Sequence, residues 1–328
     1  PPLQVLSIMH GKEALPLSSL KGPLFNPAVP EVPFFRFWGL SAYPELAHFV
    51  FTRHGGVSDS AFRSLNVSSS TGDSAENVEA NLSIIHNVTG ATTLVAMNQV
   101  HGKTIAIFRE SEGPRAAAQR FCGEAERNGA QAPPASASPS YGGSPFAHPP
   151  GASAPRLMAK ARDSEDPRTP VTADAMITNL AGTALLVKQA DCQAVILYDP
   201  IKKVISNVHC GWRGNTHGLL GRVIASMKEE FGCNPARMRA AIGPSLGPCC
   251  AEFVTHEEIF PESFRSFMTR DSHFDLRAIS RFQLLEAGLQ AAHIEAADCC
   301  TRCRTDLFFS YRGEGRTGRF ATVVMLRP

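Results

Sequence analysis

The sequence predicts a single mixed α/β domain, and three observations carry that expectation. Short apolar segments rich in Val, Ile and Thr recur along the chain, and segments with helical spacing fall between them. The two kinds interleave without the strict alternation of a doubly wound parallel sheet, which points to α+β mixed sheets. The 328 residues are 43% hydrophobic and 19% charged, enough apolar material for one large core.

Taken in order, residues 1–34 form an N-terminal extension ahead of a body at 35–328. His48 to Thr52 and Leu94 to Phe108 read as strands. Between them Ser74 to Val88 predicts a helix, because Val78, Leu82 and Ile85 recur on one helical face. Residues 111–170 break the pattern: ten of the chain's 24 prolines fall there, mixed with Ala, Ser and Gly, and few side chains could join a core. Such a stretch cannot offset its own ordering entropy, so it is expected as a flexible insertion in a surface loop. Beyond it, Ala175 to Thr178, Thr183 to Tyr198 and Lys203 to Val208 predict strands, with a turn at Asp199-Pro200. A helix is expected from His217 to Phe231, stopped by Gly232. Met238 to Ile242 reads as a strand, Leu276 to Gln290 as an amphipathic helix, and Leu307 to Tyr311 as the hairpin partner of Phe320 to Leu326.

Charge and composition narrow the function. With 32 basic against 30 acidic residues there is no basic footprint of the kind a nucleic-acid binder needs. No apolar run approaches the roughly 18 residues of a membrane span, so neither nucleic acid nor membrane is an expected partner. The nine cysteines are an odd number and include the adjacent pairs Cys249-Cys250 and Cys299-Cys300, and no charged segment followed by an apolar one opens the chain. Free thiols in a reducing cytoplasm are therefore expected.

Three segments put a metal-competent or nucleophilic side chain at the end of an apolar strand beside small residues: Asn98-Gln99-Val100-His101-Gly102, Gln189-Ala190-Asp191-Cys192 and Val208-His209-Cys210-Gly211-Trp212-Arg213-Gly214. Taken singly, each reads as structural, a packed cysteine or a hydrogen-bonded histidine. Together they offer two imidazoles and one thiolate, borderline-soft ligands suited to zinc. Three protein ligands with a fourth position open is the catalytic pattern, since a water bound there reaches a pKa of roughly 7. Cys300 and Cys303 form a rival C-x-x-C. No second such motif exists to complete a structural site, so this one reads as structural or redox-incidental.

These segments belong to a longer series. Phe51-Thr52-Arg53-His54-Gly55-Gly56-Val57-Ser58, Ser64-Leu65-Asn66, Gly72-Asp73, Gln99-Val100-His101-Gly102, Ala173-Asp174-Ala175-Met176-Ile177-Thr178, Ala190-Asp191-Cys192, His209-Cys210-Gly211-Trp212-Arg213-Gly214, Ile242-Gly243-Pro244-Ser245-Leu246-Gly247-Pro248-Cys249-Cys250, Phe308-Phe309-Ser310-Tyr311-Arg312 and Thr317-Gly318-Arg319 follow one another from about residue 35. In this the chain resembles the YfiH/laccase-domain family, a group that includes bacterial purine nucleoside phosphorylases once described as polyphenol oxidases. The resemblance implies a four-layer α/β/β/α fold and a catalytic zinc held by His101, Cys192 and His209. It also implies purine nucleoside and phosphate as substrates, with phosphorolysis of adenosine, inosine and methylthioadenosine and deamination of adenosine. Within that scheme Asp191 is expected as a proton carrier or orienter, and Arg53 and Arg213 as phosphate ligands, guanidinium being a multidentate donor. The sequence departs from the family pattern at Cys210, at Asn81-Leu82 and at Ala251. Adjacent strand residues face opposite ways, so Cys210 is expected to pack rather than ligate.

Three other functions compete. A copper-dependent polyphenol oxidase would need a histidine-rich cluster, and no His-x-His pair occurs. A cysteine hydrolase or deamidase would use Cys192 as nucleophile and His209 as base. A binding module would use the insertion to recruit partners.

Overall fold

The computed structural model describes residues 32–109, 120–122 and 171–328. Residues 1–31, most of the segment expected as an extension over 1–34, and residues 110–119 and 123–170, which hold most of the insertion expected over 111–170, lie outside the described residues. Two sheets form the centre. In the first, strands β1 (Phe34–Phe35), β2 (Leu46–Phe51), β3 (Thr93–Asn98), β6 (Val171–Thr172), β8 (Thr183–Gln189) and β15 (Phe320–Leu326) run in the order β1-β2-β15-β8-β3-β6. In the second, β4 (Ile105–Phe108), β5 (Arg120–Cys122), β7 (Ala175–Thr178), β9 (Gln193–Asp199), β10 (Val204–Cys210), β11 (Arg239–Ile242) and β14 (Ile294–Ala296) run in the order β14-β11-β9-β10-β7-β4-β5. Both sheets are mixed: β15 is antiparallel to β2 and β8, whereas β3 is parallel to β8 and β4 to β7. Strands β12 (Met268–Arg270) and β13 (His273–Phe274) make a separate hairpin.

Alternation within the strands builds the layers. In β8, Leu185 and Val187 enter a core shared with Ile196 and Tyr198 of β9 and Ile205 of β10, so the two sheets pack face to face. Ala184 and Leu186 point the other way and pack with Ile85 of α2 (Ala75–Thr89). On the far side of the second sheet, Val195, Leu197, Val204 and Val208 pack against Leu220, Val223 and Met227 of α4 (Leu219–Phe231) and Leu284 of α6 (Leu276–Glu286). The result is the four-layer α/β/β/α arrangement, with cores in all three gaps. Helix α2 is capped by Ser74, whose Oγ accepts from the Asn77 N–H, and α4 stops at Gly232 in left-handed backbone. Among the described residues no helix is long and apolar enough to cross a membrane.

Four departures from the sequence expectations have physical reasons. The run Leu94 to Phe108 is two strands in different sheets, and so is Thr183 to Tyr198. Apolar periodicity shows that a segment is buried, not where the chain changes sheet. Leu307 to Tyr311 forms no strand: Phe308 and Phe309 are buried as core filler, and Ser310 caps a short helix, α7 (Tyr311–Glu314), while β15 pairs with β2 and β8. Within the segment expected as an unstructured insertion, β5 pairs antiparallel with β4.

Candidate metal centre and its cavity

Among the described residues the chain passes from the first sheet to the second three times: from β3 to β4 through residues 99–104, from β6 to β7 through Ala173-Asp174, and from β8 to β9 through Ala190-Asp191-Cys192. Because β3 is parallel to both β6 and β8, all three crossings occur at the same end of the sandwich. Strand β10 ends there as well, its Cys210 paired with Gln193 at the start of β9. That convergence brings together His101, Cys192 and His209, whose ligand atoms all lie within 4.8 Å of one another. The two imidazoles meet edge to face, with centroids 4.9 Å apart. His101 is exposed and His209 buried, so the trio opens outward from a closed floor.

Asp174, fully buried, is the hub of this corner. Its Oδ1 accepts from the His101 backbone N–H at 3.0 Å and lies 2.9 Å from His209 Nδ1; its Oδ2 accepts from the N–H groups of Val100 and Gly102. A carboxylate only accepts, so Nδ1 carries the proton and Nε2 is the free donor atom of His209. His101 has a φ of 60°, left-handed backbone that a non-glycine residue rarely adopts, and three successive N–H groups turn onto one carboxylate around it. Burial works to raise the Asp174 pKa, but the bonds from His209 and the backbone hold it below its ordinary value. Asp174 stands in the Ala173-Asp174 motif with nothing in the sequence to name its partner; that a carboxylate inside an apolar run must be paired is the one signal it carries.

Burial pushes the Cys192 thiol up, but the neighbouring His209 and His101 outweigh it and lower the thiol to about 6. Burial lowers His209 while Cys192 and Asp174 raise it, to about 9. The pair is thus disposed to hold a thiolate, the form that ligates soft metals. Gly211 completes the fit: a Cβ there would stand 2.5 Å from Cys192 Sγ. Cys210 points to the opposite face, buried with the α4 layer, its Sγ 3.3 Å from Asn215 Oδ1.

The trio forms part of the wall of a cavity of about 560 Å3, a size suited to a small ligand. Arg213, Arg312, Arg319 and Lys188 line it, together with Ser68, Ser70, Trp212, Phe253 and Tyr311. Burial lowers the pKa of both Arg319 and Lys188. Arg213 is exposed at the rim and lies over its own neighbour Trp212 at 4.4 Å. Asp191 also reaches the cavity, but its carboxylate accepts from Thr301 Oγ1, Ser310 Oγ and the Arg312 N–H, and its backbone has a φ of 88°. It ties the 301–312 loop to the crossing that carries Cys192.

Arg53 is not brought to this cavity. Its guanidinium donates to the carbonyls of Arg63 and Thr305, pairs with Glu314 at 2.8 Å and lies over Phe309 at 4.4 Å. The glycine-rich turn that suggests an anion ligand instead presents Arg53 to carbonyls and a carboxylate, which engage its Nε and Nη1. Arg319 and Lys188, to which sequence reasoning gave no role, are the partly buried cations that do line the cavity.

A family model described as multi-copper polyphenol oxidoreductase laccase matches residues 47–133 and 152–327. A purine nucleoside phosphorylase of Bacteroides thetaiotaomicron is 27% identical over 299 residues, covering 88% of this chain and 94% of that protein. Adenosine deaminase RL5, from an unknown prokaryotic organism, is 34% identical over 162 residues, covering 45% of this chain and 60% of that protein. Among solved structures, the hypothetical protein YfiH of Bacillus licheniformis superposes with a TM-score of 0.67 at 23% identity, over 93% of this chain and 100% of that one, and so has the same fold. Since the family match spans well over half of its length, the chain belongs to the multi-copper polyphenol oxidoreductase laccase family.

Proposed function

We propose that the protein is a zinc-dependent purine nucleoside phosphorylase, converting adenosine, inosine or methylthioadenosine and phosphate to the free base and ribose 1-phosphate, with adenosine deamination as a second activity. The observation that carries this reading is that a two-nitrogen, one-sulfur donor trio shares one cavity with partly buried cations and aromatic walls. The relatives named phosphorylase and deaminase support it.

The donor set of His101, Cys192 and His209 fits zinc. Among the described residues the other group able to hold a metal is made of four cysteines, so neither has the histidine-rich composition of a multi-copper oxidase centre, whatever the family's description. When bound, zinc supplies Lewis acidity and an open coordination position. The chain's own residues do the rest. Asp174 fixes the ring of His209 so that Nε2 faces the trio. Arg319 and Lys188, with the hydroxyls of Ser68 and Ser70, hold phosphate and orient it toward the ribose; both cations are partly desolvated, which strengthens their attraction for an anion. Arg213 adds a cation at the rim. Trp212, Phe253 and Tyr311 offer ring faces to the purine. Asp191 acts as a positioning residue that keeps the 301–312 loop and Cys192 in register. The eight cysteines whose side chains are described are unbridged, in keeping with a cytoplasmic setting.

Chromatography of adenosine incubated with and without phosphate tests the proposal. Adenine formed only with phosphate supports phosphorolysis, inosine formed in its absence supports deamination, and unchanged adenosine in both overturns the reading. The lowered thiol of Cys192 beside His209 favours one second reading, a cysteine hydrolase. Rapid alkylation of Cys192 in zinc-saturated protein would favour that reading over ligation.

A further inference from the structure

Cys249, Cys250, Cys300 and Cys303 come from two segments about 50 residues apart in the chain, yet their sulfurs all lie within 4.8 Å of one another. The C-x-x-C at 300 and 303 lacks a second C-x-x-C in the sequence, and the fold supplies the missing pair as the adjacent Cys249 and Cys250. The segments are stitched by a parallel bridge between Ser245 and Cys300 and by the bond from the Thr301 N–H to the Ser245 carbonyl at 3.0 Å. We propose that these four cysteines form a second, structural metal site, a tetrathiolate centre for zinc, separate from the His101, Cys192 and His209 trio.

The spacing fits that ion. Four sulfurs placed tetrahedrally at about 2.3 Å from one zinc stand about 3.8 Å from each other. Cys303 Sγ is 3.7 Å from Cys249 Sγ and 3.6 Å from Cys250 Sγ, far beyond disulfide length. The sulfur of Cys300 accepts from the backbone N–H groups of Gly247 and Cys303, bonds that favour a thiolate. Gly247 makes room, since a Cβ there would meet Cys300 Cβ at 3.0 Å and Cys249 Sγ at 3.4 Å. Zinc takes all four sulfurs as thiolates, so its binding releases the protons they carry to solvent.

The position gives the centre a task. The Leu246 N–H donates to the Asp191 carbonyl, and Thr301 Oγ1 donates to the Asp191 carboxylate. One strap of each cysteine segment therefore grips the residue next to Cys192. A zinc ion joining the straps clamps the corner of the catalytic cavity from outside, without touching it.

The test uses the full-length protein, purified under reducing conditions, stripped with chelator and dialysed against zinc chloride. Wild type is expected to hold a second equivalent of zinc, and a His101→Ala/His209→Ala variant with native circular dichroism to keep one. X-ray absorption of that variant should show a shell of sulfur alone at about 2.3 Å. The Cys249→Ser/Cys303→Ser variant should lose one equivalent and keep the other. If the folded double-histidine variant binds no zinc, or its zinc has nitrogen or oxygen ligands, the second site is overturned. The same holds if thiol reagents modify these four cysteines as fast in zinc-saturated wild type as in stripped protein.

Discussion

Asp174 Oδ1 stands 2.9 Å from His209 Nδ1 and accepts the His101 backbone N–H at 3.0 Å, so one carboxylate sets the ring of one candidate ligand and the backbone of another. Asp174→Asn keeps the shape and removes the charge that fixes the His209 tautomer. Zinc affinity should fall by about 10–100-fold, read by competition with a chromophoric chelator. An affinity equal to wild type would show that His209 does not ligate through Nε2.

Gly211 sits against Cys192 rather than in a turn that needs glycine for its φ. A methyl group there would lie 2.5 Å from Cys192 Sγ, a short side chain with little room to yield. Gly211→Ala should therefore displace the sulfur, lowering zinc content and nucleoside turnover together while melting stays cooperative. Full zinc occupancy in this variant would mean that Cys192 lies outside the centre.

The two arginines from glycine-containing motifs separate anion binding from scaffolding. Arg319 lines the cavity and Arg53 does not. Arg319→Met should raise the KM for phosphate by tenfold or more, in keeping with a loss of about 1.5–3 kcal/mol for a bond to a charged group. Arg53→Met should leave the KM for phosphate near wild type and lower the melting temperature, because the carbonyls of Arg63 and Thr305 and the Glu314 carboxylate lose their donor. The reverse pattern in steady-state kinetics and calorimetry would return the phosphate role to Arg53.

The contrast shows what sequence could convey. Helix α2, the stop at Gly232 and the strand character of β2, β7 and β10 follow from periodicity and capping, which are local. The sheet crossings do not, because His101 and Asp191 adopt left-handed backbone without being glycine. The donors His101, Cys192 and His209 were legible as strand-end residues beside small neighbours. The role of Asp174 is not legible, since three of its carboxylate's four partners are backbone N–H groups that composition does not reveal. Cys249 and Cys250 could not be joined to Cys300 and Cys303 by any spacing rule, for their meeting depends on the bridge at Ser245.

His48 offers a test of the core that is independent of either metal site. It lies on the face of β2 that looks between the sheets, 1% exposed, and the Phe37 N–H donates to its Nε2 at 2.8 Å, so the ring is neutral. Burial, reinforced by the charge of Arg36, lowers its pKa from 6.5 to about 3. A histidine held neutral contributes stability that is fully present above pH 6.5 and is lost as the pH falls toward 3, because the unfolded chain takes up the proton first. Between those limits the loss approaches about 1.4 kcal/mol per pH unit. Urea denaturation across this range should show the wild type losing stability faster than His48→Gln, which keeps an acceptor for the Phe37 N–H and cannot protonate there. Because carboxylates and metal ligands are common to both proteins, the difference between the two curves isolates His48; parallel curves would mean that the imidazole titrates as freely in the folded protein as in the unfolded chain.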